Sequence, residues 1–522
     1  MKTTPGLSSL DAGGPFPLFV IASAWRRGVC CLLLGGLCGC GTVAPERQAA
    51  EFDASAVPDS AWTAPLNGKT EGRVTGWLGD FDSLQLKAVV LEAAQRNPDL
   101  QALAARLRAA KARAVLAGAD RFPGVSGTVD ARRAERFDTR EVPQPQVTTP
   151  VAGASATPQT IQIKEFTDQF ELGLNLSWEI DLWGRLRNRA RAGYADYQAV
   201  EADFESARLS LAANTAKSWL NVTESERLVE LAEKTVASFE ETQKSVESTY
   251  NRGINEVTAV ELALSRSNVA SARSNLEARK RERDAAKRSL ETLLGYYPRA
   301  TIESSTELPK LKRSIPVGLP SELLVRRPDI RAVERRYAAA IERVAESRKA
   351  LMPAVRLTGS TGTSSADFAK LFNRDLLLST IAGSLSQAIF EGGRLRENVA
   401  ISQAEQDELA HDYTSAALGA FREVETALAA EQYLETQAEA LRDASREAVF
   451  AEDRALSRFQ SGLVTFITLL ESQRRAFDSR SALIRVENQR LQNRIDLYLA
   501  LGGDFDTTAP LLSTAANAIP PQ

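Results

Sequence analysis

The 522-residue sequence predicts a mainly α-helical protein that carries a short membrane-type β-sheet and is built from two similar halves. Three observations lead there. First, motifs recur. NPDL at 97–100 returns as RPDI at 327–330, and Phe122-Pro123 returns as Met352-Pro353, both 230 positions later. GRLR at 184–187 returns at 393–396, and the glycine Gly253 matches Gly462, both at 209, while Leu294-Gly295 matches Leu501-Gly502 at 207. Second, 187–250 holds no proline and one glycine. Third, between 165 and 182 the parity of a position nearly decides its polarity. A long duplicated unit points to one architecture assembled from two copies. The change of 21 in the offset places an insertion between Pro123 and Gly184.

Composition supports long helices over a globular core. Charged residues make up 25 % and aromatics 7 %, with Ala, Arg, Leu and Glu filling long runs. A net charge of −3 gives no electrostatic basis for binding nucleic acid. The four cysteines, Cys30, Cys31, Cys38 and Cys40, all precede position 41, so no disulfide framework is expected.

The N-terminus, 1–39, reads as a secretory signal: Arg26-Arg27, an apolar stretch at 29–37, then small residues. The 25 residues ahead of Arg26 point to a start codon further in. LCGC at 37–40 resembles the bacterial lipoprotein box. That resemblance implies cleavage before Cys40 and acylation of Cys40, whose chains would hold the protein to a membrane. Gly41, where an Asp would signal inner-membrane retention, leans towards the outer membrane.

The mature chain then reads in order. Residues 40–82, rich in Pro, Ala, Gly and Thr, form an extended linker. A first repeat spans 83–296. Its first helix runs from about 83 to 119 with a break at Asn97-Pro98, where Pro98 and Asp99 suit a helix N-terminus. A strand pair lies within about 122–182, with candidates at 125–131 and 165–182. In the second, even positions are Phe166, Phe170, Leu172, Leu174, Leu176, Trp178, Ile180 and Leu182, and odd positions are polar or glycine. Asp168 is the one exception. Alternation of that length suits a membrane barrel strand with lipid on one side and water on the other. Trp178 and Trp183, with Phe390 in the second copy, fit an aromatic girdle at the membrane interface. Residues 138–160, crowded with Pro, Gln and Thr, read as the inserted exposed loop.

A helix from about 187 to 250 follows, roughly 95 Å long. Val222, Ser225, Val229, Ala232, Val236, Phe239, Gln243, Val246 and Tyr250 step by three and four, as in a coiled coil. Gly253 ends it and a return helix covers 256–294, so a hairpin tip lies at 251–255. A linker, 297–320, carries several prolines. The second repeat, 321–503, repeats the plan, with a strand pair within about 352–390 (candidates at 355–359 and 377–389) and a tip at 460–464. Residues 504–522 form a flexible tail. Neither long helical stretch is an apolar 20-mer, so neither is a membrane helix.

Four strands cannot close a membrane barrel, and an open sheet edge in lipid costs several kcal/mol per unpaired backbone group. If these strands enter the membrane, the chains must therefore pool them in a cyclic assembly, with the polar parity lining a water-filled pore. Enzymatic readings fail on inventory. The single histidine, His411, lies among polar residues on a helix, no cysteine survives for nucleophilic or metal chemistry, and no phosphate loop is present.

WEIDLWGRLR (178–187), GLPSELLVRRPDIRAVE (318–334), IFEGGRLR (389–396), FREVETAL (421–428), SGLVTFITLLESQR (461–474) and LALGGDF (499–505) together resemble the TolC-like outer membrane factors, most of all the NodT-type efflux lipoproteins. The resemblance spans almost the whole mature chain. It implies a homotrimer with a twelve-stranded barrel, four strands per chain, continued by a long α-helical tunnel in the periplasm. It implies partners: a periplasmic adaptor, an inner-membrane RND-type transporter and outer membrane lipid. No cofactor and no catalysis are implied. It places the tunnel's closure on an acidic residue after the second tip, here Glu471, with Arg474 one turn on. Read alone, those two are an ordinary i,i+3 surface pair. Thr468 stands where some members carry a second acid. The tips Arg252, Gly253, Ile254, Ser461, Gly462 and Leu463 would meet the adaptor. Drug efflux leads among the cargoes. Type I secretion and metal export remain alternatives, as does, in another class, a coiled-coil periplasmic tether without a pore.

Overall fold

The computed structural model describes residues 62, 76–142, 159–252, 257–304, 307–312 and 320–505. The signal segment, Cys40, Gly253, Ile254 and the middle of the inserted loop lie outside the described residues.

The helices come in matched sizes. After α1 (Leu84–Arg96), α2 (Pro98–Ala119) and its counterpart α6 (Pro328–Lys349) have 22 residues each. The long helices α3 (Arg185–Asn251) and α7 (Arg394–Gln460) have 67 each, and the return helices α4 (Ala259–Leu293) and α8 (Phe466–Ala500) have 35 each. A short α5 (Pro320–Arg326) precedes α6. At a rise of 1.5 Å per residue α3 and α7 are about 100 Å long, and their return helices cover about half of that. Along the predicted coiled-coil stripe of α3, Val222, Ser225, Val229, Ala232 and Val246 are buried, Val236, Phe239 and Gln243 are half-buried, and Tyr250 at the tip is exposed. His411 is exposed.

Four strands, β1 (Gly124–Val142), β2 (Gln159–Ile180), β3 (Ala354–Ser365) and β4 (Leu377–Ser386), form one antiparallel sheet in sequence order. β1 and β2 run further than the alternation suggested. Asp138 pairs with Ile163 and Glu141 with Thr160, inside the stretch expected to be loop. The reason is physical. The backbone ladder continues where apolar and charged side chains mix on each face, while the hydropathy alternation needs one face to be steadily apolar. At the other end β2 stops at Ile180, short of Leu182. The Asp181 carboxylate instead accepts the backbone N–H groups of Leu186 at 3.1 Å and Arg187 at 2.8 Å, an anion at the positive end of α3.

Midway along the molecule the two halves are clasped alike. Asn97 caps α2 by accepting from Leu100 N at 3.0 Å, and its Nδ2 donates to the Leu293 carbonyl at 2.9 Å. In the second copy Arg327 occupies the matching place and donates to the Ala500 carbonyl at 3.2 Å. The glycines beyond each return helix, Gly295 (φ 75°) and Gly502 (φ 67°), lie in the left-handed region. A Cβ on Gly295 would stand 3.1 Å from the Arg96 carbonyl, and one on Gly502 3.3 Å from the Arg326 backbone. The repeated NPDL/RPDI and Leu-Gly motifs are thus the two sides of one contact. Part of the expected linker also joins this belt. Trp62, Trp77, Leu78 and Phe81 are buried, Trp77 stacks on Tyr498, and the Tyr498 hydroxyl donates to Asp80 at 2.6 Å. Phe505, in the expected tail, is buried too. Apolar side chains at these places outweigh the polar composition around them.

Upper α3 and α6 are zipped by ion pairs. Arg189 meets Glu346 at 2.8 Å and Arg331 meets Glu205 at 2.9 Å, with Arg343–Asp196 and Arg336–Asp203 between them. Half-exposed pairs contribute little stability each, but their repeat fixes the register of the two helices.

Gly295→Ala and Gly502→Ala are each expected to lower stability by about 1–2 kcal/mol, because an L side chain is forced into left-handed backbone against a neighbouring chain segment. Thermal unfolding of the detergent-solubilised protein checks this. An unchanged midpoint in both variants would remove the clasp from the account of stability.

Candidate aperture, docking tips and membrane sheet

The end of the molecule remote from the sheet is formed by the two hairpin tips. α7 ends in a paired-bond cap, with Leu463 N donating to Arg458 O at 2.8 Å, Gly462 N to Phe459 O at 3.0 Å, and Gly462 at φ 69°. Only glycine takes that left-handed position at little cost, which accounts for Gly462. Ser461 and Leu463 flank it, both exposed. In the first tip Arg252 is exposed and closes α3, and α4 begins with a capping box in which Thr258 and Glu261 satisfy one another's backbone N–H.

Just above the tips, Val246, Leu262 and Phe466 form a small apolar cluster that joins the two hairpins, with Phe459 and Leu470 packed against it. One step higher the contact turns polar. Gln473 on α8 is buried and donates to Ser238 Oγ at 2.9 Å and Thr242 Oγ1 at 3.0 Å on α3. Ser238 also donates to Glu452 on α7 at 3.4 Å. Sequence reading passed over Gln473, because a single Gln in a polar helix carries no periodic signal.

Glu471 is exposed on the opposite side of α8, and its partner differs from the expected one. Arg475, one full turn on, donates Nε to Glu471 Oε1 at 2.9 Å. The i,i+4 spacing stacks the two side chains along the helix better than i,i+3 does here. The bonded guanidinium holds the Glu471 carboxyl below the usual carboxylate range, with Arg474 adding a smaller effect. Arg474 itself lines a groove of about 370 Å³ between α3, α4 and α8 with Phe239, Phe477 and Asp478. Thr468 hydrogen-bonds Thr465 at 3.0 Å, at the helix start.

Higher still, Asn488 on α8 donates to Glu224 on α3 and to Asn221 Oδ1 at 3.1 Å, and Gln492 donates to Asn221 at 2.6 Å. Burial pushes the Glu224 carboxyl up from its ordinary value, against the Asn488 bond, which lowers it.

In the sheet, register converts the alternation into two faces. Leu172, Leu174 and Leu176 lie opposite Val129, Gly127 and Val125 on β1 and opposite Thr363, Thr361 and Gly359 on β3. Leu357, Ile381 and Leu385 share that face. The other face carries Gln169, Glu171, Asn175, Ser177, Arg356 and Ser360. Asp168, the exception to the alternation, faces Arg133 directly, and the two form a two-pronged ion pair at 2.6 and 2.7 Å. That partner was invisible in the sequence because β1 loses its own alternation at that point. Trp178 donates its indole N–H to the Arg121 carbonyl at 3.0 Å and Trp183 to the Pro353 carbonyl at 2.8 Å, both at the helix side of the sheet. Phe390, after β4, is 87 % exposed.

Comparison with known proteins decides what this arrangement is. The family model for outer membrane efflux proteins matches residues 89–296 and 319–503. The chain belongs to the outer membrane efflux protein family. It is 30 % identical over 472 residues to the cation efflux system protein CusC of Escherichia coli, covering 90 % of this chain and 96 % of that one. It is 31 % identical over 479 residues to the pyoverdine export outer membrane protein OpmQ of Pseudomonas aeruginosa, covering 91 % and 96 %. The crystal structure of a membrane protein from Pseudomonas aeruginosa matches with a TM-score of 0.74 at 29 % identity, covering 88 % and 99 %. The fold is that of this family: a trimeric β-barrel continued by an α-helical tunnel, duplicated within each chain. The protein resides in the outer membrane and serves there as an exit duct for efflux.

Glu224 gives a signed pH dependence. Its folded pKa lies above the ordinary value of 4.5. Its contribution is therefore fully present below pH 4.5 and is lost as pH rises through the raised folded value. Glu224→Gln, which mimics the protonated form, is expected to raise the thermal midpoint at neutral pH and to lose that advantage below the ordinary glutamate range. A lower midpoint at neutral pH would mean the ionised carboxylate stabilises the α3–α8 contact.

Proposed function

We propose that three copies of this chain close the barrel by pairing β4 of one protomer with β1 of the next, and that the trimer is the outer membrane duct of an RND-type tripartite pump. One observation carries the reading: a half-apolar sheet with both outer edges open stands on two matched 67-residue helices. In lipid those edges must be paired. Exposed apolar side chains on the flanks support the same closure. Val115 and Leu116 stand on α2 and Ile401 on α7; further down, Leu264 stands on α4 and Phe450 on α7. A periplasmic tether would need no such sheet.

In this reading the tips Arg252, Gly253, Ile254, Ser461, Gly462 and Leu463 dock a periplasmic adaptor, which the transporter drives. Acylated Cys40 anchors the chain, and Trp178, Trp183 and Phe390 mark the periplasmic interface of the outer membrane. Three Glu471 side chains ring the periplasmic aperture, an arrangement that attracts cations and repels anions. Arg475, with Arg474 beside it, holds that ring ionised. Opening moves α7 and α8 away from α3 and breaks the Gln473 bonds to Ser238 and Thr242. Beyond the signal the sequence has one methionine, Met352, and one histidine, His411, so the wall offers no row of soft ligands. That favours organic solutes over metal ions as cargo, with type I secretion as the remaining alternative.

Single-channel recording in planar bilayers tests the proposal. The wild type is expected to conduct weakly at rest, and Glu471→Ala to raise conductance and reduce cation preference. Absence of any pore would overturn the duct. An unchanged conductance and selectivity in the variant would overturn the placement of Glu471 at the aperture.

A further inference from the structure

The apolar face of the sheet is not level. β3 presents Gly359, Thr361 and Thr363 between the larger side chains of β2 (Leu172, Leu174, Leu176) and those of β4 (Leu377, Ile381). A trough therefore runs along β3, seen as two adjoining cavities of about 270 and 330 Å³ that share Leu174 and Thr361. Its hydroxyls are already engaged. Thr361 Oγ1 lies 2.8 Å from Ser379 Oγ, and Thr363 Oγ1 donates to the Leu371 carbonyl at 2.6 Å. What the trough offers is methyl groups and glycine. From Gly359 to Thr363 it spans about 13 Å, close to the depth of one leaflet in a bilayer core of about 30 Å.

The end remote from the helices is roofed by the β3–β4 connection. This folds back onto the apolar face, with Phe368 edge-on to Phe170 at 5.6 Å and Leu371 buried. Phe372, Asn373 and Arg374 line the upper cavity. Arg374 is exposed, and no carboxylate among the described residues forms an ion pair with it. The level is marked independently. Beyond Phe170 the same face of β1 and β2 turns charged, with the Arg133–Asp168 pair and Lys164 lying 5.0 Å from the Phe166 ring centre. Aromatics give way to charge where acyl chains give way to headgroups.

We propose that the β3 trough is a binding site for the phosphorylated glycolipid of the outer leaflet. One acyl chain lies along Gly359, Thr361 and Thr363, and a sugar phosphate meets Arg374. The apolar trough suits a chain, the guanidinium suits a phosphate, and the site opens on the leaflet away from the tunnel, where that glycolipid resides. The trough lies on the central strands, so barrel closure at β1 and β4 leaves it open to lipid.

The test is lipid retention. The trimer, purified from outer membranes in mild detergent and washed by gel filtration, is analysed by native mass spectrometry for bound lipid. The wild type is expected to retain about one phosphorylated glycolipid per protomer, following from one trough per chain. Gly359→Leu fills the trough; its Cβ would stand 3.5 Å from the Leu176 Cβ, ordinary contact, so the backbone need not move. Arg374→Glu repels the phosphate. Each variant is expected to cut retention about tenfold, the loss of roughly one charge-assisted bond or its equivalent in apolar contact. Trimer migration on unheated gels verifies assembly, and if Gly359→Leu does not assemble, Arg374→Glu decides. Equal retention by wild type and Arg374→Glu overturns the site, and so does retention of glycerophospholipid in place of glycolipid.

Discussion

Backbone hydrogen bonding at the edge of a four-stranded sheet governs this molecule. Each chain brings strands enough for a third of a closed barrel, and in lipid no water can satisfy the N–H and C=O groups left on β1 and β4. Closure by other copies is therefore a condition of the fold in its membrane. The helices inherit the same requirement. α2 packs on α3, α3 on α6 and α6 on α7, which leaves a bare flank on α2 and another on α7, each carrying exposed apolar side chains. The ring that completes the sheet also covers these flanks, so barrel and tunnel close through one symmetry operation.

Much of this was legible from residues alone, for reasons that differ by element. The long helices were readable because Pro and Gly are absent over many turns and the heptad stripe survives. The β2 strand was readable where one face meets lipid, and Asp168 stood out as the misfit that the structure pairs with Arg133. The outer rungs of β1 and β2 were not readable, since Phe137 and Ile163 stand among charged neighbours without a steady alternation and the ladder is held by backbone bonds that leave no hydropathic trace. Trp62, Trp77 and Phe81 were lost within a stretch whose composition said linker. Glu471 is singled out by family resemblance alone, and the arginine that bonds it is Arg475 where the resemblance pointed to Arg474. Only side-chain geometry separates an i,i+3 from an i,i+4 neighbour when arginines fill both places.

The duplication explains why two unlike residues, Asn97 and Arg327, do the same work. Each donates to the last-turn carbonyl of its own return helix, and each faces a left-handed glycine on the other side of the contact. The constraint that persists between the copies is the close backbone approach at Gly295 and Gly502, whereas the donor is free to be an amide or a guanidinium. Below this belt the halves diverge. The second hairpin carries Gln473, Glu471 and Arg475, so the contacts near the tips differ between otherwise equal arms.

The unequal hairpins of the sheet carry a further consequence. β1 and β2 continue well past the level at which β3 and β4 turn back, and their outer rungs hold Arg132, Glu135, Arg136, Asp138 and Lys164. Repeated three times around the barrel, these rungs stand as a crown of mixed charge above the cell surface. That crown stands clear of the apolar band, so changes of charge on its rungs leave the lipid-facing surface and the bore beneath untouched.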